Sequence, residues 1–299
     1  FLMNLSKVIT NLKNKKNVNY NKYLRSIGSL DEIEVIKHSY DLQAGSYIKF
    51  FLKNKGLEKK YCDEIADIIK KNFGKFESFL DCGCGEMTVS YSLIERLNFI
   101  KKFLLFDISL NRMVLGKNFL KKYLKKNNFK KTNFFCSSLE SIPLNDNSIN
   151  LVFTNHAIEP NKDNAKNIIR ELYRITNYGL ILNEPDYTSA SKEQKKRMIK
   201  NNFVKNIPKI LKQLKINYKT VKIKNSIRTL NKTTSFIIFK KKNKKNTIEF
   251  IDPFYKKKII GKKYFYFSYI LKQIYFIFKD IPIFDFERPT IINETVIKD

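Results

Sequence analysis

The sequence predicts an α/β fold, a mostly parallel sheet with helices on both faces, and three observations carry that expectation. Five short apolar runs, ESFLDCG, KFLLFDIS, TNFFCSS, INLVFTN and YGLILNEP, follow one another from Phe76 onward. Stretches of helical pattern separate them, each long enough for a crossover connection. The runs are near-continuously apolar, as strands of a sheet covered on both faces are.

Residues 1–59 read as an N-terminal arm and capping helix. The beginning is rich in Lys and Asn, and HSYDLQAGSYIKFFLKNKG then sets Tyr40, Tyr47, Phe50 and Phe51 on a polar background. YCDEIADIIKKNFG follows, with Ile65, Ile68 and Ile69 at helical spacing and Gly74 as a stop. The main domain is expected over 60–240. After its fifth strand comes SKEQKKRMIKNNFVKNIPKILKQLK, a helix interrupted near Pro208, where the ring removes a hydrogen bond. NYKTVKIKNS and TSFIIFKKK then alternate as strands do, and the lysine run at 240–246 reads as a linker. The remainder, 247–299, is expected to form a small β-rich module. Its apolar stretch from Tyr264 to Phe278 is interrupted by Lys272, is shorter than the roughly 20 residues of a spanning helix, and reads as strands.

The 58 Lys and Arg against 28 Asp and Glu give a formal charge of +30. The excess is mostly Lys and comes with abundant Asn, Ile and Phe, a profile that AT-rich codons produce whatever the protein does. Attraction to a polyanion is the other reading. Cys62, Cys82, Cys84 and Cys136 form no paired framework, which fits a reducing, cytoplasmic setting. Cys82 and Cys84 have no second pair, and His38 and His156 lie far off in sequence, so no metal site is expected. The opening run FLMNLSKVIT, with Lys7 inside it, is short for a signal peptide.

The chemistry concentrates in FLDCGCGEMT, Phe79 to Thr88. A strand delivers Asp81, and Gly83 and Gly85 let the chain turn tightly against a ligand. A second carboxylate, Asp107, ends the next strand about 20 residues on, where it can hold two ribose hydroxyls. No third glycine follows, Met87 standing in the turn, so a nucleoside without a pyrophosphate fits better than a dinucleotide.

On these residues the chain resembles the class I S-adenosylmethionine-dependent methyltransferases, of the methyltransferase type 11 kind, over about 60–240. LDCGCGE is similar to their first motif and FDIS to the second. SSLESIPLNDNSINLVFTNHAIEP is similar to the third and fourth, and ELYRITNYGLILNEP to the helix and fifth strand. The resemblance implies a Rossmann-like, seven-stranded sandwich, S-adenosyl-L-methionine as cofactor, and a set of roles. Asp81, Gly83, Cys84 and Gly85 would line the methionine half, Asp107 with Ile108 the ribose, and Ser138 with Leu139 the adenine edge. Asn155 and Tyr47 complete the cofactor set. The chain departs from the family pattern at Ser138 and Asn150, where Asp is usual, and at Tyr178-Gly179, where Pro-Gly is usual. The stretch YFIFKDIPI, Tyr275 to Ile283, resembles the small activating partner domain of translation-associated methyltransferases, without its Cys pairs; an unspecific hairpin is the alternative.

His156 follows the fourth strand, where the family's fold opens onto substrate, and is the candidate base; a packing role is the alternative. Glu159 orients His156, meets a substrate hydroxyl, or favours a helix N-terminus. Tyr40 and Tyr47 either face the sulfonium or anchor the capping helix. Glu86 and Asp186 are acceptor-side candidates on loops. The expected function is methylation, at O or N, of a small-molecule or glycan-type acceptor. An RNA or translation-factor methyltransferase and a non-catalytic binding protein are the alternatives. No base-amine signature of the Asn/Asp-Pro-Pro-Tyr kind follows the fourth strand, and NEPDY follows the fifth.

Overall fold

A computed structural model describes residues 20–26, 30–227, 231–241, 247–284 and 290–291. The expected arm before Tyr20, most of the lysine run (242–246) and residues 285–289 and 292–299 of the C-terminal module lie outside the described residues.

The N-terminal region is more helical than the sequence reading. After α1 (Tyr20–Ser26), two helices stand where one cap is expected: α2 (Glu32–Gln43) and α3 (Ser46–Lys53). Asp31 starts α2 through a capping box, its side chain accepting the Glu34 N–H while Glu34 reaches back to the Asp31 N–H. Gly45, at φ 95°, makes the corner between α2 and α3. Next comes α4 (Lys55–Phe73), which runs across the boundary set between 59 and 60. The reason lies in Asn54, which ends α3 with its N–H and starts α4 with its carbonyl, leaving no linker between them.

All five predicted strands form: β1 (Ser78–Cys82), β2 (Lys102–Asp107), β3 (Thr132–Cys136), β4 (Ile149–Asn155) and β5 (Thr176–Glu184). They alternate with α5 (Thr88–Arg96), α6 (Leu110–Tyr123), the short α7 (Lys126–Phe129) and α8 (Ala165–Ile175). After α9 (Lys192–Lys200) and α10 (Ile207–Gln213), β6 (Lys219–Lys222) and β7 (Thr234–Phe239) complete one sheet of order β3-β2-β1-β4-β5-β7-β6. The first five strands are parallel, and β7 pairs antiparallel with β5 and β6.

Pleating divides the core in two. Phe79, Phe103, Phe153 and Ile181 face α4, α5 and α6, and their sequence neighbours Leu80, Leu104, Val152 and Leu182 face α8 and α10. Gly179 has a packing role within β5: a Cβ there would lie 2.2 Å from Cε1 of Phe73, so the ring occupies the space a side chain would need. Asn150, another departure, accepts from the Ser78 N–H and Oγ–H and ties the start of β4 to that of β1, at the far end of the strands from Asp81.

The single interrupted helix expected around Pro208 is two helices, and the break lies earlier. Asn202 turns the chain with φ 55°, and Pro208 sits in the first turn of α10, where a missing N–H costs nothing.

The C-terminal region forms a separate antiparallel sheet from β8 (Ile260–Gly261), β9 (Phe265–Ser268), β10 (Gln273–Phe278), β11 (Ile281–Pro282) and β12 (Thr290–Ile291). It packs on the edge of the main sheet. Phe284 donates its N–H to the Cys136 carbonyl at 2.8 Å, and the Phe250, Tyr275 and Phe284 rings join Phe135 in the core. No helix among the described residues is long and apolar enough to cross a membrane.

Candidate active site

The strand order reverses at β1, whose neighbours β2 and β4 lead to opposite edges of the sheet. A crevice opens at the C-terminal ends of strands at such a point. Here Asp81 approaches the end of β1, Asp107 ends β2 and Asn155 ends β4. Gly83 is required in the turn: it has φ 71°, and a Cβ would lie 2.5 Å from the Ala157 Cβ. The β1 and β4 loops therefore touch.

One cavity gathers fourteen of the fifteen residues singled out from the sequence. Asp81, Gly83, Cys84, Gly85 and Glu86 line it from the β1 loop, and Asp107 and Ile108 from β2. Ser138 and Leu139 come from the β3 loop, Asn155, His156 and Glu159 from the β4 end, and Tyr40 and Tyr47 from the helical cap. Asp186 is the exception. It is buried outside the cavity lining and accepts the Thr188 N–H and Oγ1–H and the Ser189 Oγ–H, holding its own turn.

The carboxylates differ in task. Asp81 accepts the Ser90 Oγ–H at 2.6 Å. Burial pushes its carboxyl up to about 7, against the Ser90 hydrogen bond, with the Asp107 charge adding to the rise. Asp107 accepts the Gly85 N–H on Oδ2 and the Ser109 N–H on Oδ1, each at 2.9 Å. Burial raises it too, while the Arg112 charge and those two N–H groups hold it back. Glu86, an acceptor-side candidate on the sequence, is engaged within the protein. It is buried, and its two oxygens accept the Gly45 and Ile48 N–H groups at 2.9 and 2.8 Å, anchoring the start of α3.

His156 does not begin a helix. It takes φ 57° in a turn, and α8 starts nine residues later at Ala165. The turn is organised by buried Glu184, at the end of β5. Its oxygens accept the N–H groups of Ala157, Ile158 and Glu159 at 3.1 Å and the Thr154 Oγ1–H at 3.0 Å. Burial lifts the Glu184 carboxyl to about 7 against the pull of His156. His156 Nδ1 lies 2.9 Å from Glu159 Oε2 and Nε2 lies 2.8 Å from Thr233 Oγ1. Burial alone would lower the imidazole pKa, but the charge and hydrogen bond of Glu159, with the Glu184 charge, raise it. Of the three readings of Glu159, contact with His156 is the arrangement present, and there is no helix N-terminus for it to favour.

The faces of Tyr40 and Tyr47 meet a cation that belongs to the protein. The Arg112 guanidinium carbon stands 4.2 Å from the Tyr40 centroid and 4.7 Å from that of Tyr47. The sequence motifs do not point to Arg112, nor to Glu58 and Tyr61 of α4 or Arg197, Asn231 and Thr233, all of which line the cavity. Tyr61 donates its hydroxyl to Asn155 Oδ1, and Arg197 Nη1 donates to Asn231 Oδ1 at 2.6 Å. Glu58 and Tyr61 share one face of a helix whose apolar pattern was recognised. Asn231 and Thr233 lie outside every motif, and the fold alone brings them to His156. The described residues hold no group of three or more His, Cys, Asp or Glu able to bind a metal.

Residues 74–250 match the family described as a methyltransferase domain. The chain is also similar to solved structures of low sequence identity, and two of them, both of one enzyme, share its fold. Magnesium protoporphyrin IX methyltransferase from Synechocystis PCC 6803 with bound S-adenosylmethionine is 14% identical, with a TM-score of 0.52 over 71% of this chain and 99% of that one. The same enzyme with bound S-adenosylhomocysteine is 14% identical, with a TM-score of 0.50 over 62% and 84%. A methyltransferase from Aquifex aeolicus is 15% identical, with a TM-score of 0.44 over 58% and 88%. No curated protein sequence matches the chain. The chain belongs to the methyltransferase domain family.

Proposed function

We propose that the chain methylates, at oxygen or nitrogen, a small-molecule or glycan-type acceptor that enters the cavity between the helical cap and the His156 turn. The observation that carries this reading is the charge of the cavity. The chain holds 58 Lys and Arg, yet none of the described residues lining the cavity is a lysine. Glu58, Glu159 and His156 line it beside Tyr61, Asn231 and Thr233, with Arg197 as the cation on that side. A polyanion would meet carboxylates there, whereas a compact polar acceptor finds hydrogen-bonding partners.

The donor set fits the cofactor. Asp81 offers a buried carboxylate for an ammonium group, Asp107 two oxygens for ribose hydroxyls, and Ile108, Ser138 and Leu139 a mixed edge for the adenine. Cys84, Gly85 and Asn155 complete that wall, and the first turn of α3 brings Tyr47 over it. Bound there, S-adenosylmethionine would supply a methyl group that its sulfonium already activates toward an acceptor's lone pair. The protein's task is alignment and exclusion of water, worth about 7–11 kcal/mol in favourable cases.

Glu159, an acceptor when ionised, fixes the proton of His156 on Nδ1 and leaves Nε2 with a lone pair directed at Thr233. Thr233 then donates its proton to Nε2 while its oxygen accepts one from the acceptor's hydroxyl, so Thr233 regains a hydroxyl proton and His156 carries the net proton. Asn231 Nδ2 lies 3.1 Å from His156 Nδ1 and 3.4 Å from Glu159 Oε2; with the proton on Nδ1 it donates to the carboxylate alone.

The test is transfer of tritium from labelled cofactor to a polar metabolite extract and, separately, to total RNA and ribosomal protein. Label in the small-molecule fraction supports the proposal. Label in RNA or protein alone supports the second reading, motivated by the +30 charge. Cofactor binding without label in any fraction supports a non-catalytic role.

A further inference from the structure

Arg112 lies in the first turn of α6, five residues beyond Asp107, and is 4% exposed. Its Nε donates to the Tyr40 carbonyl at 3.3 Å, and its faces carry the Tyr40 and Tyr47 rings. A guanidinium has five N–H donors. Among the described residues, buried Nη2 has no hydrogen-bond partner, an arrangement that native interiors rarely leave unexplained. Nη1 points toward the β1 loop, 3.8 Å from where a Cβ on Gly85 would sit, and Gly85 itself donates its N–H to Asp107. The terminal nitrogens of Arg112 are thus held beside the carboxylate that the proposed function gives to the ribose.

The same residue belongs to the cap. Helices α2 and α3 form one wall of the cavity through Ile33, Ile36, Gln43 and Phe50 with the two tyrosines. Three attachments fix that wall to the cofactor loops: Glu86 to the Gly45 and Ile48 N–H groups, the Ser109 hydroxyl to Asp41, and Arg112 to Tyr40. The first two are satisfied within the protein. The third has donors left over.

We infer that Arg112 is a positioning residue that couples cofactor to cap: its terminal N–H groups bond a ribose oxygen of the bound cofactor while the guanidinium grips Tyr40 and Tyr47. Ribose hydroxyls that donate to Asp107 still have oxygen lone pairs to receive those N–H groups. Cofactor occupancy then tightens the wall that an acceptor must meet, which makes cofactor the first ligand to bind. The inference rests on the proposed assignment of Asp107 to the ribose.

The experiment compares the wild-type chain, Arg112→Met and Arg112→Lys. Each is titrated calorimetrically with S-adenosylhomocysteine and with 5′-methylthioadenosine, which keeps the nucleoside and lacks the amino-acid tail. Amide hydrogen exchange of residues 32–53 is followed with and without S-adenosylhomocysteine. Arg112→Met is expected to weaken both ligands by about tenfold, the equivalent of one charge-assisted hydrogen bond. It is also expected to abolish the ligand-induced protection of the cap seen in wild type. Arg112→Lys keeps the charge without the fork and is expected to lose cap protection as well, which preserves the test if the Met variant does not fold. Unchanged affinities, or a loss for S-adenosylhomocysteine with none for 5′-methylthioadenosine, overturn the inference. Failure of the wild type to bind either ligand would instead defeat the cofactor assignment beneath it.

Discussion

Glu159 Oε2 stands 2.9 Å from His156 Nδ1 in a turn whose N–H groups are gathered by buried Glu184. The pair raises the imidazole pKa although burial opposes it, because the carboxylate charge and hydrogen bond both favour the imidazolium. Replacing Glu159 by Gln removes that charge, so the His156 pKa is expected to fall. The chain has two histidines, and an NMR titration with His38→Gln as background isolates the signal of interest. A His156 pKa unchanged in Glu159→Gln would contradict the coupling. Once an acceptor is in hand, His156→Ala is expected to reduce turnover by roughly 10²–10⁴-fold, the usual range for a positioned base.

Glu86 supports the cap. Glu86→Ala leaves the Gly45 and Ile48 N–H groups without their acceptor, and an unsatisfied buried donor costs about 1–3 kcal/mol. The expected result is a lower melting temperature and faster amide exchange over 44–53, with exchange in β1 and β4 little changed. Equal acceleration across the whole chain would mean that Glu86 supports the entire fold.

Asp81 ties stability to pH. Its carboxyl titrates near 7 in the folded chain and near 3.9 when unfolded, so between those values the folded state holds the extra proton. The protein without ligand should therefore lose stability as pH rises from about 4 to about 7. Glu184, also lifted to about 7, acts in the same direction. Asp81→Asn keeps an oxygen for the Ser90 hydroxyl and removes the titration. Thermal melts across this range should show a shallower decline for the variant, and parallel curves would refute the assignment.

Gly83 is a steric requirement. Gly83→Ala places a Cβ 2.5 Å from that of Ala157, at a φ of 71° that side chains avoid. The β1 and β4 loops must then separate. Calorimetry is expected to show at least tenfold weaker binding of S-adenosylhomocysteine, and wild-type affinity would show that the loops yield without consequence.

Much of this was legible before any coordinates, for a physical reason. The strands β1 to β5 are buried on both faces, so their composition announces them, and glycines and acidic residues at strand ends mark a nucleoside-type crevice. The cap was harder to read because α2, α3 and α4 are joined at Gly45 and Asn54 without a linker, and their lining residues come from partly polar faces. Glu86 and Asp186 show the limit of reading a loop carboxylate from its position: both are buried and bound to N–H or hydroxyl groups that their neighbourhood alone does not reveal. Asn231 and Thr233 meet His156 across more than 70 residues of chain, a contact that β7 and the segment before it create. Glu184 was within reach, since an acid closing a buried strand needs donors, and the turn after β4 supplies three.

The most direct measurement is calorimetric titration of the wild type and Asp107→Ala with S-adenosylmethionine and S-adenosylhomocysteine. Saturable binding by the wild type, weakened about 10–100-fold in the variant by loss of charge-assisted hydrogen bonds, is the predicted result. Absence of binding by the wild type, or equal affinity in the variant, would contradict the assignment of this cavity to the cofactor.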